Sequence, residues 1–236
     1  MKKALETFAL VVAIGTALPA SAATTLFDFS NLALSGNVNV GFLPADGVAC
    51  SVGDLCSSDI TTVLNGDLTF LKDGITVLAT ASFNGGVAAV VQDHENGRNF
   101  AAGLGAGLGV YHQKNNNSDD NITLGESLSI RFDQDVTLAN VYLRSEGHNT
   151  SWIRSATLLL NGQQTALNGT LDTHNLFVQK GTAVTFAFNG NPSDGMSADQ
   201  FYLGGMSVTA VPEPGTYALM LVGLAVTGAM ARHKPV

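Results

Sequence analysis

Two neighbouring stretches decide the fold class: Ser127-Leu128-Ser129-Ile130-Arg131-Phe132-Asp133 and Val136-Thr137-Leu138-Ala139-Asn140-Val141-Tyr142-Leu143. Both alternate apolar and polar residues with period two. Successive strand side chains point to opposite faces, so this is the pattern of a strand with one face buried and one wet. The same reading extends in both directions. Leu26-Phe27-Asp28-Phe29 and Val38-Asn39-Val40-Gly41-Phe42 lie upstream. Leu68-Thr69-Phe70-Leu71 and the run Ile75 to Phe83 flank Asp73-Gly74, a two-residue hairpin signal, and Asn65-Gly66 offers another turn just before them. Ala156 to Leu160 meets Gln163 to Leu167 across Asn161-Gly162, and Ala183 to Phe188 and Phe201 to Val211 complete the series. Helical periodicity is nearly absent from residues 23–210. Ten to thirteen strands over 188 residues predict an all-β body, most simply one two-sheet jelly-roll-like sandwich. Its core is expected from Phe27, Phe29, Phe70, Ile130, Phe132, Val141, Phe186 and Tyr202.

Composition removes several classes. The chain has 236 residues with 11 Lys+Arg, 19 Asp+Glu, 26 Gly and 2 Cys. At 45% hydrophobic residues it can build a core, unlike a disordered chain of low apolar content. Two cysteines do not make a disulfide-dense scaffold, and neither a collagen repeat nor a heptad repeat is present. A formal net charge of -8 argues against nucleic acid, whose phosphates require a basic patch.

The ends read as addresses. Lys2 and Lys3, the apolar stretch Phe8 to Leu18, and Ala20-Ser21-Ala22 form the three parts of a secretory signal. Small residues at Ala20 and Ala22 suit signal peptidase, so residues 1–22 are expected to be a signal helix that is removed. At the other end stand Val211-Pro212-Glu213-Pro214-Gly215-Thr216, the uncharged stretch Tyr217 to Ala231, and Arg232-His233-Lys234. As a helix the uncharged stretch is about 22 Å long at ~1.5 Å per residue, short of a ~30 Å hydrocarbon core that can thin locally to meet it. The basic end would stay cytoplasmic. Pro212 and Pro214 hold an extended segment just before this short transmembrane helix, and Glu213 keeps that segment out of the bilayer.

Pro212-Glu213-Pro214, Thr216, the apolar span with Gly223-Leu224 and the basic end together resemble the PEP-CTERM sorting signal of Gram-negative bacteria. Residues 211–236 then form a sorting tail. The resemblance implies export, processing of the tail by a membrane enzyme (an exosortase), and association with exopolysaccharide or biofilm at the surface or outside the cell. The chain would be held in the membrane by the tail only transiently. The end departs from the family in being less arginine-rich. A looser resemblance, carried by Gly107-Leu108-Gly109-Val110, the Asn/Asp-rich loop, Glu126-Ser127-Leu128 and the spaced Phe132, Val136 and Leu138, is to an ectodomain found with such tails. It implies a β-sandwich and nothing catalytic.

Without the signal (Lys2, Lys3, Glu6) and the tail (Glu213, Arg232, Lys234) the body keeps 7 basic and 17 acidic groups, a net of -10. Such a body repels polyanions. Cys50 and Cys56 enclose five residues, and in an oxidising compartment a local disulfide is expected. The alternating Gly103, Gly105, Gly107 and Gly109 lead into Val110-Tyr111, not into the helix that a phosphate loop requires, and read as a connection or a strand with little bulk on one face. Asn115 to Asn121 is the richest oxygen cluster. It is read as a solvated loop, with structural calcium on Asp119, Asp120 and Asn121 as the alternative.

No catalytic constellation stands out, and a non-enzymatic surface protein without a cofactor is the primary expectation. A carbohydrate-binding module using Trp152 and Tyr111 is the first alternative. A polysaccharide hydrolase using Asp93 and Glu95 is the second, set against the simpler reading of 93–96 as an exposed turn.

Overall fold

Alternating residues form strands here because each buries one face, and the consequences run through the whole body. The computed structural model describes residues 23–35, 38–45, 55–56, 66–93, 105–112, 120–145, 147–150, 157–189, 200–212, 220–225 and 227–228. It contains β1 (Thr24–Asp28), β2 (Leu32–Ser35), β3 (Val38–Gly41), β4 (Leu55–Cys56), β5 (Leu68–Lys72), β6 (Ile75–Phe83), β7 (Gly86–Asp93) and β8 (Gly107–Tyr111). There follow β9 (Glu126–Phe132), β10 (Val136–Ser145), β11 (Thr157–Leu160), β12 (Gln163–Ala166), β13 (Thr170–Val178), β14 (Val184–Phe188) and β15 (Phe201–Ala210).

The all-β expectation holds, but the strands do not form two separate sheets. They join in one curled antiparallel sheet of 13 strands, and β2 and β3 make a separate hairpin. The spine of the sheet runs β12-β11-β14-β9-β6-β7-β8-β15-β10-β13, with β5 on β6, β4 on β7 and β1 on β15. Continuity comes from β7, which changes partner along its length. Gly86, Val87 and Ala88 pair with β6, whereas Ala89 to Asp93 pair with β8.

The curl wraps one hydrophobic cluster that draws on β1, β10 and β15 from one arm and on β5, β6, β9 and β14 from the other. All eight core residues expected from sequence are at most 2% exposed. Phe29 meets Phe70 across the fold with ring centroids 4.8 Å apart. Each fully buried side chain of this kind contributes roughly 1.5–3 kcal/mol.

The turns follow their residue types. Asp73 and Gly74 have φ of 50° and 77°, and Asn161 and Gly162 have 50° and 78°. Positive φ at both central positions is the geometry of the tight hairpin turn that matches strand twist. Asn84-Gly85 makes a third such turn, between β6 and β7. Asn65 lies outside the described residues; the Gly66 carbonyl accepts from the Val90 amide at 2.7 Å.

Of the alternating glycines, Gly103 lies outside the described residues, and Gly105, Gly107 and Gly109 are closely packed. A side chain at Gly105 would stand 2.7 Å from the Asp93 carbonyl oxygen, and one at Gly107 or Gly109 would collide with backbone at Leu203 or Asp120. These positions are strand or near-strand residues against which neighbouring chain lies directly, as the low-bulk reading anticipates.

Beyond β15 the chain turns helical at residues 220–225 and 227–228. Among the described residues no helix is long and apolar enough to cross a membrane, so the transmembrane helix expected over 217–231 is not seen. Residues 1–22, expected as the signal helix, lie outside the described residues.

Candidate functional site

The C-terminal segment leaves the body abruptly. β15 is paired on both edges, by β1 (Thr24 opposite Thr209) and by β10 (Val136 opposite Ala210). The Val211 amide still donates to the Asp135 carbonyl at 2.9 Å, and Pro212 is exposed. Proline has no amide hydrogen, so it cannot extend the ladder, and pairing stops here. Glu213 and Pro214 lie outside the described residues. Every described residue of the helical stretch is exposed, including Leu221 at 67% and Val222 at 58%. Met220 and Leu224 also present apolar surface. None of these side chains belongs to the hydrophobic clusters of the body among the described residues.

A second constellation lies inside the body, at the end of β7 and the start of β15. Asp93 is buried, not in an exposed turn, and its Oδ2 lies 2.8 Å from Nε2 of buried His148. His148 adopts a left-handed conformation with φ of 57°, and its ring stands edge-on to Tyr202 at 5.7 Å. The Tyr202 hydroxyl donates to Asp120 Oδ1 at 2.8 Å. Burial raises the Asp120 pKa to about 7, and the Asp93 charge adds to the rise, while the Tyr202 hydrogen bond and His148 oppose it. Beside this group, Asn121 donates to Gln200 at 2.9 Å and Gln200 donates to Thr123 at 3.2 Å. Glu126, buried on β9, lies 2.6 Å from Nδ1 of His112 and accepts the Thr123 amide at 2.8 Å. The His112 ring stacks on Phe83 at 3.8 Å.

Three histidines that stand apart in sequence thus each face a carboxylate: His112 with Glu126, His148 with Asp93, and exposed His174 with Asp172. The pairs do not converge. Among the described residues no group of three His, Cys, Asp or Glu is placed to hold a metal ion. Asp120 and Asn121 are engaged with Tyr202 and Gln200, and Asp119 lies outside the described residues. Tyr111 is 1% exposed and packs with Ala89 and Val91, so its ring presents no free face for sugar stacking. Trp152, Glu95, Cys50, Ala20 and Ala22 lie outside the described residues; Cys56 falls in β4.

Comparison with known proteins bears on the tail alone. A family model described as the PEP-CTERM protein-sorting motif matches residues 210–234. The chain carries a PEP-CTERM sorting motif. The match starts at Ala210, the last residue of β15, so the PEP-CTERM segment begins where the sheet ends. The motif is a substrate signal for an exosortase and marks proteins that are exported and sorted to the cell surface. No curated protein and no solved structure matches the chain.

Proposed function

We propose that the chain is a non-catalytic surface or matrix protein whose sandwich-like β body is delivered by its PEP-CTERM tail and retained with exopolysaccharide. The supporting observation is the placement of the tail. The motif starts at the last ladder residue, and the described helical residues beyond it are exposed, uncharged and, Thr227 apart, apolar. A membrane enzyme can engage such a segment without unfolding the body, because the ladder has ended before the cleavable part begins. On this reading residues 1–22 are removed by signal peptidase at Ala20-Ser21-Ala22. The segment 217–231 holds the chain in the inner membrane until exosortase acts near Pro212-Glu213-Pro214. Cys50 and Cys56 close a disulfide in the oxidising compartment, a local link that contributes about 2 kcal/mol or less.

The test replaces Pro212-Glu213-Pro214 by alanines in cells that hold the exosortase. Wild type is expected in the surface or released fraction with a mass short of the tail, and the variant in the membrane fraction with the tail intact. Identical fractionation and mass for the two proteins would defeat the reading.

A further inference from the structure

A cleft of about 310 Å³ opens between β1, β10 and the start of β13. Its floor is bare backbone at Gly204 and Gly205 of β15. A side chain at Gly205 would stand 2.6 Å from the Phe27 carbonyl oxygen, and one at Gly204 would press on the Arg144 side chain at 3.3 Å. With glycine at 204, the Arg144 stem lies flat across the sheet and brings its guanidinium to the cleft wall. Arg144 Nη1 donates to the His148 carbonyl at 3.1 Å, and His148 is itself fixed on buried Asp93. Arginine has five N–H donors, and this is its one hydrogen bond among the described residues. Among the described residues the guanidinium is thus held in place with most of its donors unspent.

Asp28 lies opposite in charge in the same cleft, and its Oδ1 accepts the Ser30 hydroxyl at 2.7 Å. Desolvation lowers the Arg144 pKa while Asp28 raises it, as expected for a cation drawn into a partly dry cleft beside an anion. Thr150 and Thr170 add hydroxyls, and Leu26, 43% exposed, gives an apolar edge. The lining therefore offers a donor fork, an acceptor, rotatable hydroxyls and an apolar edge, with no net charge. A phosphate or a carboxylate wants uncompensated positive charge, which Asp28 cancels here and the body's net of -10 opposes. Vicinal hydroxyls are complementary instead: each accepts from the arginine and donates to the carboxylate, while the ring carbons meet Leu26. The size is at the low end of the ~300–1,000 Å³ typical of small-ligand sites.

We propose that this cleft binds a neutral saccharide unit, with Arg144 and Asp28 gripping a pair of vicinal hydroxyls. It gives the matrix-protein reading a point of attachment, and it rests on that reading for the presence of a polysaccharide to bind.

The test titrates the full chain, purified in mild detergent, with neutral gluco-, manno- and galacto-oligosaccharides, with oligouronates and with glycerol, by calorimetry. Saturable binding of at least one neutral set is expected, weakened about tenfold or more by Asp28→Asn and by Arg144→Lys. Both variants should keep the melting temperature within about 2 °C. The amide introduced by the first retains an acceptor for Ser30, and the ammonium introduced by the second retains a donor for the His148 carbonyl. If a variant melts lower, Thr170→Val, which removes only a wall hydroxyl, serves in its place and should weaken binding severalfold. Preference for oligouronates, binding indifferent to all three substitutions, or no binding of any neutral set would overturn the proposal. A chain that is sorted and processed normally yet binds no neutral sugar refutes the cleft alone. A chain whose alanine tail variant fractionates like wild type refutes the delivery reading alone.

Discussion

Asp120 is a carboxyl held in a place that suits its neutral form, and Asp120→Asn turns that into a measurable slope. Its pKa is raised from 3.8 to about 7, first by burial and then by the Asp93 charge. Between those two values the folded chain keeps a proton that the unfolded chain has released. Stability contributed by this group is therefore fully present below pH 3.8, falls as pH rises, and levels off above about 7. At 1.36 kcal/mol per pH unit the whole interval amounts to about 4 kcal/mol, a ceiling that water entry and relaxation around the ion will reduce. Asparagine keeps an oxygen for the Tyr202 hydroxyl and never ionises. The variant is thus expected to match wild type near pH 4 and to exceed it by about 2–4 kcal/mol at pH 8. Urea melts of both proteins at pH 4, 5, 6, 7 and 8 read this out as a widening gap between their midpoints. At a slope of roughly 2 kcal/mol per molar the gap reaches about 1–2 M. Other titrating groups are common to both chains, so the difference isolates Asp120. A constant gap across the range, or one that opens toward acid, refutes the account of this buried cluster.

Two further substitutions probe the packing around it. Gly109→Ala places a methyl group into the Asp120 carbonyl and should cost about 3 kcal/mol or more, seen as a large fall in melting temperature; a change under about 0.5 kcal/mol would show that the two segments do not lie in contact. Glu126→Ala removes the acceptor for both the His112 ring and the Thr123 amide and should cost about 2–4 kcal/mol in urea melts, with Glu126→Gln recovering a part of it; equal stability of the alanine variant and wild type would contradict the burial of this pair.

The strands with one wet face were legible because their residues alternate, and the turns because Asp73-Gly74 and Asn161-Gly162 tolerate positive φ. The same alternation also carried an unread signal. Glu126 has the parity of Leu128, Ile130 and Phe132, so a strand beginning there places a carboxylate on the buried face. β13 escaped because its residues are mostly exposed and its polar run resembles a loop; it is a sheet edge, which one flank and little core define. The turn reading of Asp93 failed for the opposite reason. The last residues of β7 are buried throughout, so period two gives no warning, and the partner His148 lies on a turn far along the chain. Nor does spacing along the chain bring Arg144, Asp28 and the Gly204-Gly205 floor together, since they meet only through the ladders of β1 and β10 on β15. The tail, by contrast, was readable as text because a peptidase recognises it locally.

The pairing of β15 on both edges bears on mechanical load. If the tail is fastened in a membrane, as the proposed function has it, any drag on the body is transmitted along the axis of β15 from its C-terminal end. The ladders to β1 and β10 lie across that axis, so they resist together in shear, and no single bond can peel first. A strand held in this way is a tether point that gives way only when two rows of bonds fail at once, and the first and last strands of the body, lying side by side, share the strain between them.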